Sequence, residues 1–146
     1  MELFSPPHLA VLGATAALAV GLAAAARRDP SAPWVTRASR ALAAVLVANE
    51  VAFHALLLAR GDFSARADLP LHLTDAATIA AAVALWRPAP LAFELTWFWG
   101  MTATVQALLT PDLTRGPEHY RFWWFVIAHA GVVVAAALLA WGRGLT

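Results

Sequence analysis

Five stretches of the chain are almost purely apolar, and polar corners separate them. They cover residues 9–26, 41–59, 69–86, 91–109 and 122–141. None shows the strict apolar–polar alternation of a half-buried strand or a lipid-facing barrel strand. At about 1.5 Å per residue, runs of 18 to 20 residues approach the thickness of a bilayer core, about 30 Å. Hydrocarbon has no water to satisfy a backbone N–H or C=O, so a run that crosses it must close those bonds as a helix. The pattern predicts an all-α polytopic transmembrane helix bundle of about five spans, forming one domain over residues 1–146.

The corners carry the expected punctuation. Ser5-Pro6-Pro7 offers an N-cap and a helix-compatible proline before the first run. That run has no charge within it and no positive segment before it, which favours a retained span over a signal peptide. Arg27, Arg28, Asp29, Pro30, Pro33, Arg37 and Arg40 read as a polar, helix-breaking connection. Gly61 to Asp68 reads as a loop, Arg87-Pro88-Ala89-Pro90 as a tight corner, and Thr110-Pro111 as a stop, because proline restricts the residue before it. Alanines at spacing four, Ala44, Ala48 and Ala52 or Ala76, Ala80 and Ala84, are expected to let helix backbones approach closely. Trp97, Trp99, Trp123 and Trp124 near the run ends read as interfacial belt residues.

Composition agrees with a lipid-facing surface. The chain is 61% hydrophobic and 13% charged, against about 25% charge in a soluble domain. The net charge of +1 and the scattered arginines leave no basic face for nucleic acid. Without cysteine there is no disulfide, thiol nucleophile or thiolate metal site. There is no glycine-rich phosphate loop and no compact metal-ligand motif, so neither a cofactor nor a metal is expected. A set of His54, His72, His129 and a carboxylate is arithmetically possible but has no supporting spacing. The partner expected from composition is membrane lipid; oligomeric state is not legible.

The polar residues inside the runs are the informative ones. Alternation of spans puts the loops at 60–70 and 110–121 on one side. Measured from that side at about 1.5 Å per residue, Thr74, Asp75, His54 and Gln106 lie roughly 6–8 Å deep, His129 about 12 Å and Glu50 about 14 Å. Four helices thus contribute to one slab, and Glu94 stands near the opposite face. Glu50 with His54, and His72 with Asp75, have the spacing that shares a helix face. Thr102 and Thr104 read as self-bonded to their own helix, whereas ionisable groups within spans normally face an interior or a wet cavity. Thr74 as hydroxyl, His129 as base and Asp75 as an orienting carboxylate are the parts of an acyl-transfer site. Glu50, His54, His72, Glu94 and Gln106 are candidate binding or supporting residues.

The opening MELFSPPH, the segment LPLHLTD at residues 69–75, and ELTWFWG, QALLTPDL and RFWWFVIAHAG in that order resemble the YwaF family of bacterial integral membrane proteins, over nearly the whole chain. The resemblance implies a helical membrane bundle; bacterial members are largely uncharacterised. It also implies a relation to animal TMEM-type membrane acyltransferases acting on phospholipid, with a cysteine in the segment matching LPLHLTD and a histidine elsewhere in the bundle. That cysteine falls on Thr74 and that histidine on His129, so the thiol route is replaced by a hydroxyl. Family members also continue past this last run into at least one more span.

Three function classes stay open: an intramembrane acyl-transfer or lipid-ester enzyme using Thr74 and His129, a small-molecule or proton-coupled carrier with a polar path to Glu94, and a non-catalytic scaffold with its polar groups paired off. Arginines orient the chain. Arg27, Arg28, Arg37, Arg40, Arg87 and Arg143 outnumber Arg60, Arg66, Arg115 and Arg121, which predicts a multi-pass cell-membrane protein with its N-terminus outside and its C-terminus cytoplasmic. Single cysteines at Ser31 and Ser64 test this. On intact cells an impermeant thiol reagent should label Ser64→Cys and spare Ser31→Cys; the reverse inverts the topology.

Overall fold

The computed structural model describes residues 2–66, 68–87 and 89–144. Among these, every regular element is helical. Helix α1 is Pro6–Arg28, α2 is Pro33–Arg60 and α3 is Leu73–Trp86. Helix α4 runs through Pro90–Trp99, a π turn at Gly100–Thr104 and a last α turn at Val105–Leu109. Helix α5 runs through Tyr120–Ala137 and ends in a π turn at Leu138–Gly142.

The ends follow local chemistry. Proline opens α1, α2 and α4 in the first turn, where its missing N–H would have had no intrahelical partner. Arg27 and Arg28 lie in the last turn of α1, where cations complement the exposed carbonyls. Gly61, at φ 71°, ends α2 in the left-handed conformation. Its N–H donates to the Leu58 carbonyl, and that of Asp62 to the Leu57 carbonyl, which closes the last turn as a Schellman motif.

Three of the five helices, α1, α2 and α5, are long and apolar enough to cross a membrane. Helix α3 has 14 residues, about 21 Å by the helical rise. Two boundaries differ from the apolar pattern. Arg37 and Arg40 are not in the connection: α2 begins at Pro33 and carries them in its first two turns, because proline opens a helix as readily as it ends one. Conversely, α3 starts four residues after its apolar run, since Leu69, Pro70 and Leu71 lie in a non-helical approach.

Helix α5 packs against all four others, and α3 sits between α2 and α4 with α5 behind it. Small residues make these contacts. Ala77, Ala80, Ala81, Ala82 and Ala84 of α3 are buried, as are Ala135, Ala136 and Ala137 of α5 and Ala19, Ala23 and Ala26 of α1. Alanine lets the backbones close up in a medium where lipid competes with any larger apolar side chain. The Ala76, Ala80, Ala84 row is therefore a packing row, but Ala44, Ala48 and Ala52 face outward. On α2 the core is made instead by Val35, Ala43, Leu46, Phe53 and Leu57. Most helix hydroxyls close onto their own helix: Thr15 donates to Val11, Ser39 to Val35, Thr96 to Ala92 and Thr104 to Gly100. Between helices, buried His8 takes the Phe4 N–H on Nδ1 and donates from Nε2 to the Leu108 carbonyl at 2.8 Å, tying the start of α1 to the end of α4.

The α1–α5 contact is tightest at Gly142. A Cβ there would stand 3.0 Å from Leu138 Cδ1, 3.1 Å from Ala26 Cβ and 3.3 Å from the Ala23 backbone. Gly142→Val is expected to cost about 1–3 kcal/mol by overpacking, lowering the thermal unfolding midpoint in detergent. Gly21, with nothing within 4 Å of its Cβ position, should tolerate the same change without a comparable loss.

Candidate functional site

Helices α2, α3 and α5 meet beneath the non-helical residues 68–72, at the end where α5 begins. A cavity of about 290 Å³ opens there, lined by Phe53 and His54 from α2, Thr74 and Asp75 from α3, and Arg121, Trp124, Phe125 and His129 from α5, with Asp68, Leu69 and His72 from the approach to α3.

Thr74 Oγ1 and His129 Nε2 lie 3.1 Å apart across this cavity. The other ring nitrogen, Nδ1, stands 2.8 Å from the Phe125 carbonyl one turn back in α5. A carbonyl only accepts, so Nδ1 carries the ring proton. Nε2 of the neutral ring is then an acceptor, and the Thr74 hydroxyl donates to it. His129 is buried, and the Phe125 ring lies 4.0 Å from it, centroid to centroid. The Thr74 hydroxyl, the His129 ring and the Phe125 carbonyl thus form one hydrogen-bonded chain. Thr74 is also the second residue of α3, within the turn where unpaired N–H groups favour negative charge.

Asp75 does not orient His129. Its Oδ2 accepts the His72 backbone N–H at 2.8 Å and the His72 Nδ1–H at 3.1 Å, so it caps the first turn of α3. The reason is local: three residues on from the N-cap, its carboxylate shares the face of the His72 N–H. His72 itself is 61% exposed. His54 lies between two carbonyls, with Nδ1 2.9 Å from that of Glu50 and Nε2 3.0 Å from that of Asp68. It pins the segment before α3 to α2. Glu50 accepts from the Trp124 indole N–H at 2.9 Å on Oε2, while its Oε1 is buried with no partner; the Thr78 hydroxyl is in the same state.

One expected member of the slab is elsewhere, and Glu94 lies away from the cavity, as its depth near the opposite face implies. Gln106 is exposed on α4 and donates to Thr110 Oγ1 in its own helix at 2.9 Å. Glu94 is exposed on the outer side of α4 and does not line the cavity. Gln106 was placed by depth alone, and depth does not say which way a side chain points. Among the described residues no group of three His, Asp or Glu could hold a metal ion.

Three contributors escape a reading by type and depth. Trp124 is not a belt residue: its ring stacks on Phe53 at 4.2 Å and its N–H is spent on Glu50. Trp123 keeps the belt role, exposed and bonded to the Pro117 carbonyl. Arg121, counted only as a loop charge, reaches into the cavity wall, 3.5 Å from Asp68 and over the Phe53 ring. The signal was available: Arg121 and Phe125 lie two turns and one turn before His129, on its own face.

The family model described as the TMEM164 family matches residues 3–146. The chain belongs to the TMEM164 family. No curated protein and no solved structure matches it. Membership and three apolar helices make this TMEM164-family chain a membrane protein.

The Thr74–His129 geometry has a spectroscopic consequence. In ¹⁵N spectra of ring-labelled protein, neutral His129 is expected as the Nδ1–H tautomer, and Thr74→Ala should move only the Nε2 resonance strongly. An Nε2–H tautomer would remove the acceptor that the hydroxyl needs.

Proposed function

We propose that this TMEM164-family protein, of the YwaF-like kind, is an intramembrane acyl-transfer enzyme acting on lipid esters. The single observation behind this is the 3.1 Å contact between Thr74 Oγ1 and His129 Nε2 inside a cavity at one end of the bundle. A threonine hydroxyl is a poor nucleophile until a base takes its proton, and here the base is in place with its acceptor nitrogen toward the hydroxyl.

The steps follow from the atoms. His129 Nε2 takes the Thr74 proton as Oγ1 forms a bond to the carbonyl carbon of a lipid ester. The carbonyl oxygen becomes an oxyanion, favoured by the N-terminal end of α3 and by the Arg121 cation in the cavity wall. As the carbonyl re-forms, the ester C–O bond breaks and the departing lipid oxygen takes the proton back from Nε2. The acyl group is then an ester of Thr74. An acceptor hydroxyl, or water, gives its proton to His129, attacks the same carbon and releases Thr74, whose oxygen recovers the proton. Phe125 keeps the ring in the required tautomer throughout. His54, Glu50 and Trp124 hold the walls, and the substrate partner is membrane lipid.

The carrier reading requires a polar path to Glu94, which lies outside the cavity, and the scaffold reading requires no cavity. On the arginine balance, the N-terminus is outside and the cavity faces the exterior of the cell membrane.

Purified in detergent and offered fluorescent ester lipids or acyl-directed probes, the wild type should turn over or become labelled. Thr74→Ala and His129→Ala should each lose about 10²–10⁴-fold. Together they should lose little more than either alone, as for residues that act as one unit. Thr74→Cys should retain acyl labelling. Turnover that survives both alanine changes would exclude the dyad.

A further inference from the structure

We infer that the groove between α2 and α3 seats one long hydrocarbon chain of a membrane lipid whose polar end lies in the Thr74–His129 cavity. The inference deepens the acyl-transfer reading and rests on it for the identity of the polar end.

The groove holds about 510 Å³. Its walls are Val47, Val51 and Leu58 of α2 and Ile79 of α3, each at least half exposed on the outside of the bundle. It is therefore open sideways, to acyl chains, along its length. Val47 to Leu58 is eleven helical rises, roughly 16 Å, and one leaflet of hydrocarbon is about 15 Å deep. A chain lying in it would reach from the cavity end of the bundle to the middle of the bilayer.

Continuity selects this groove over a larger one. His54 and Asp75 line both the cavity and the groove. The wider apolar hollow between α1, α2 and α5, about 740 Å³, shares no lining residue with the Thr74 cavity. Thr78 stands one turn below Thr74 on the same face and lines the head of the groove. The outward face of α1 at Leu18 and Val20 is equally exposed, but it lines neither the cavity nor the groove.

The test uses the full chain in phospholipid vesicles containing a phospholipid with a diazirine at the end of one long chain, with cross-links mapped by mass spectrometry. Label is expected at Val47 and Val51, saturating with probe and competed by unlabelled long-chain lipid but not by a four-carbon ester. Val51→Trp, or Ile79→Trp from the opposite wall, should cut it about tenfold, the equivalent of losing about two buried methylenes. Leu18→Trp should leave it unchanged. Groove labelling no stronger than that at Leu18 and Val20 in the wild-type chain overturns the inference, whatever the variants do. Saturable groove labelling without any ester turnover would keep the groove and remove the acyl-transfer reading. Turnover that depends on Thr74 and His129, without groove labelling, would do the opposite.

Discussion

Hydrocarbon offers no hydrogen-bond partner, so each polar group on a membrane helix must be closed within the protein or kept at a cavity. That constraint accounts for most of the polar side chains here. Thr15, Ser39, Thr96 and Thr104 bond a carbonyl four residues back, and His8 is spent between Phe4 and Leu108. Groups that cannot be closed within one helix gather at one end of α2, α3 and α5. There the closure runs between elements, from Trp124 to Glu50, from His54 to Asp68 and from Thr74 to His129.

The same medium decides how the helices pack. Lipid competes with large apolar side chains, so close approach depends on small residues. Helix α5 is the clearest case: its second half is lined with buried alanines and valines, and it touches every other helix. Its first half is aromatic and carries the cavity wall. One helix therefore supplies both the rigid spine and, at His129, the acceptor for the Thr74 hydroxyl. Precision at that acceptor follows from this arrangement, because the ring is oriented by the backbone of the packed helix at Phe125 rather than by a loop.

Much of this was legible from residue type and spacing. Apolar runs without alternation imply helices, and alternation of spans put Thr74 and His129 on one side before any contact was known. What depth cannot supply is azimuth. Gln106 has suitable depth but points outward, and the Ala44, Ala48, Ala52 row has suitable spacing but faces lipid. In both cases neighbouring helices decide the outcome. Asp75 is a different failure: a carboxylate three residues after an N-cap closes locally first. Trp124 and Trp123 are adjacent and chemically identical, so only their roughly 100° separation around α5 sends one to the cavity and the other to the interface. Arg121 was hidden by its place at a run end, where a charge reads as solvated.

The choice of threonine where the resemblance implies cysteine has a physical reading. A thiolate facing an imidazolium would place two full charges in a low-dielectric site, and such pairs regain their desolvation cost only with further hydrogen bonds. Threonine and neutral histidine carry no charge in the resting state. One hydrogen bond from Thr74 to His129 and a second from His129 to Phe125 satisfy both ring nitrogens. The site is thus compatible with burial beside lipid. On the proposed acyl-transfer reading, the N-terminal turn of α3 and Arg121, both at the cavity, favour a developing oxyanion. If the proposed acyl transfer holds, a weaker nucleophile is offset by a ground state that costs little to hold in the membrane.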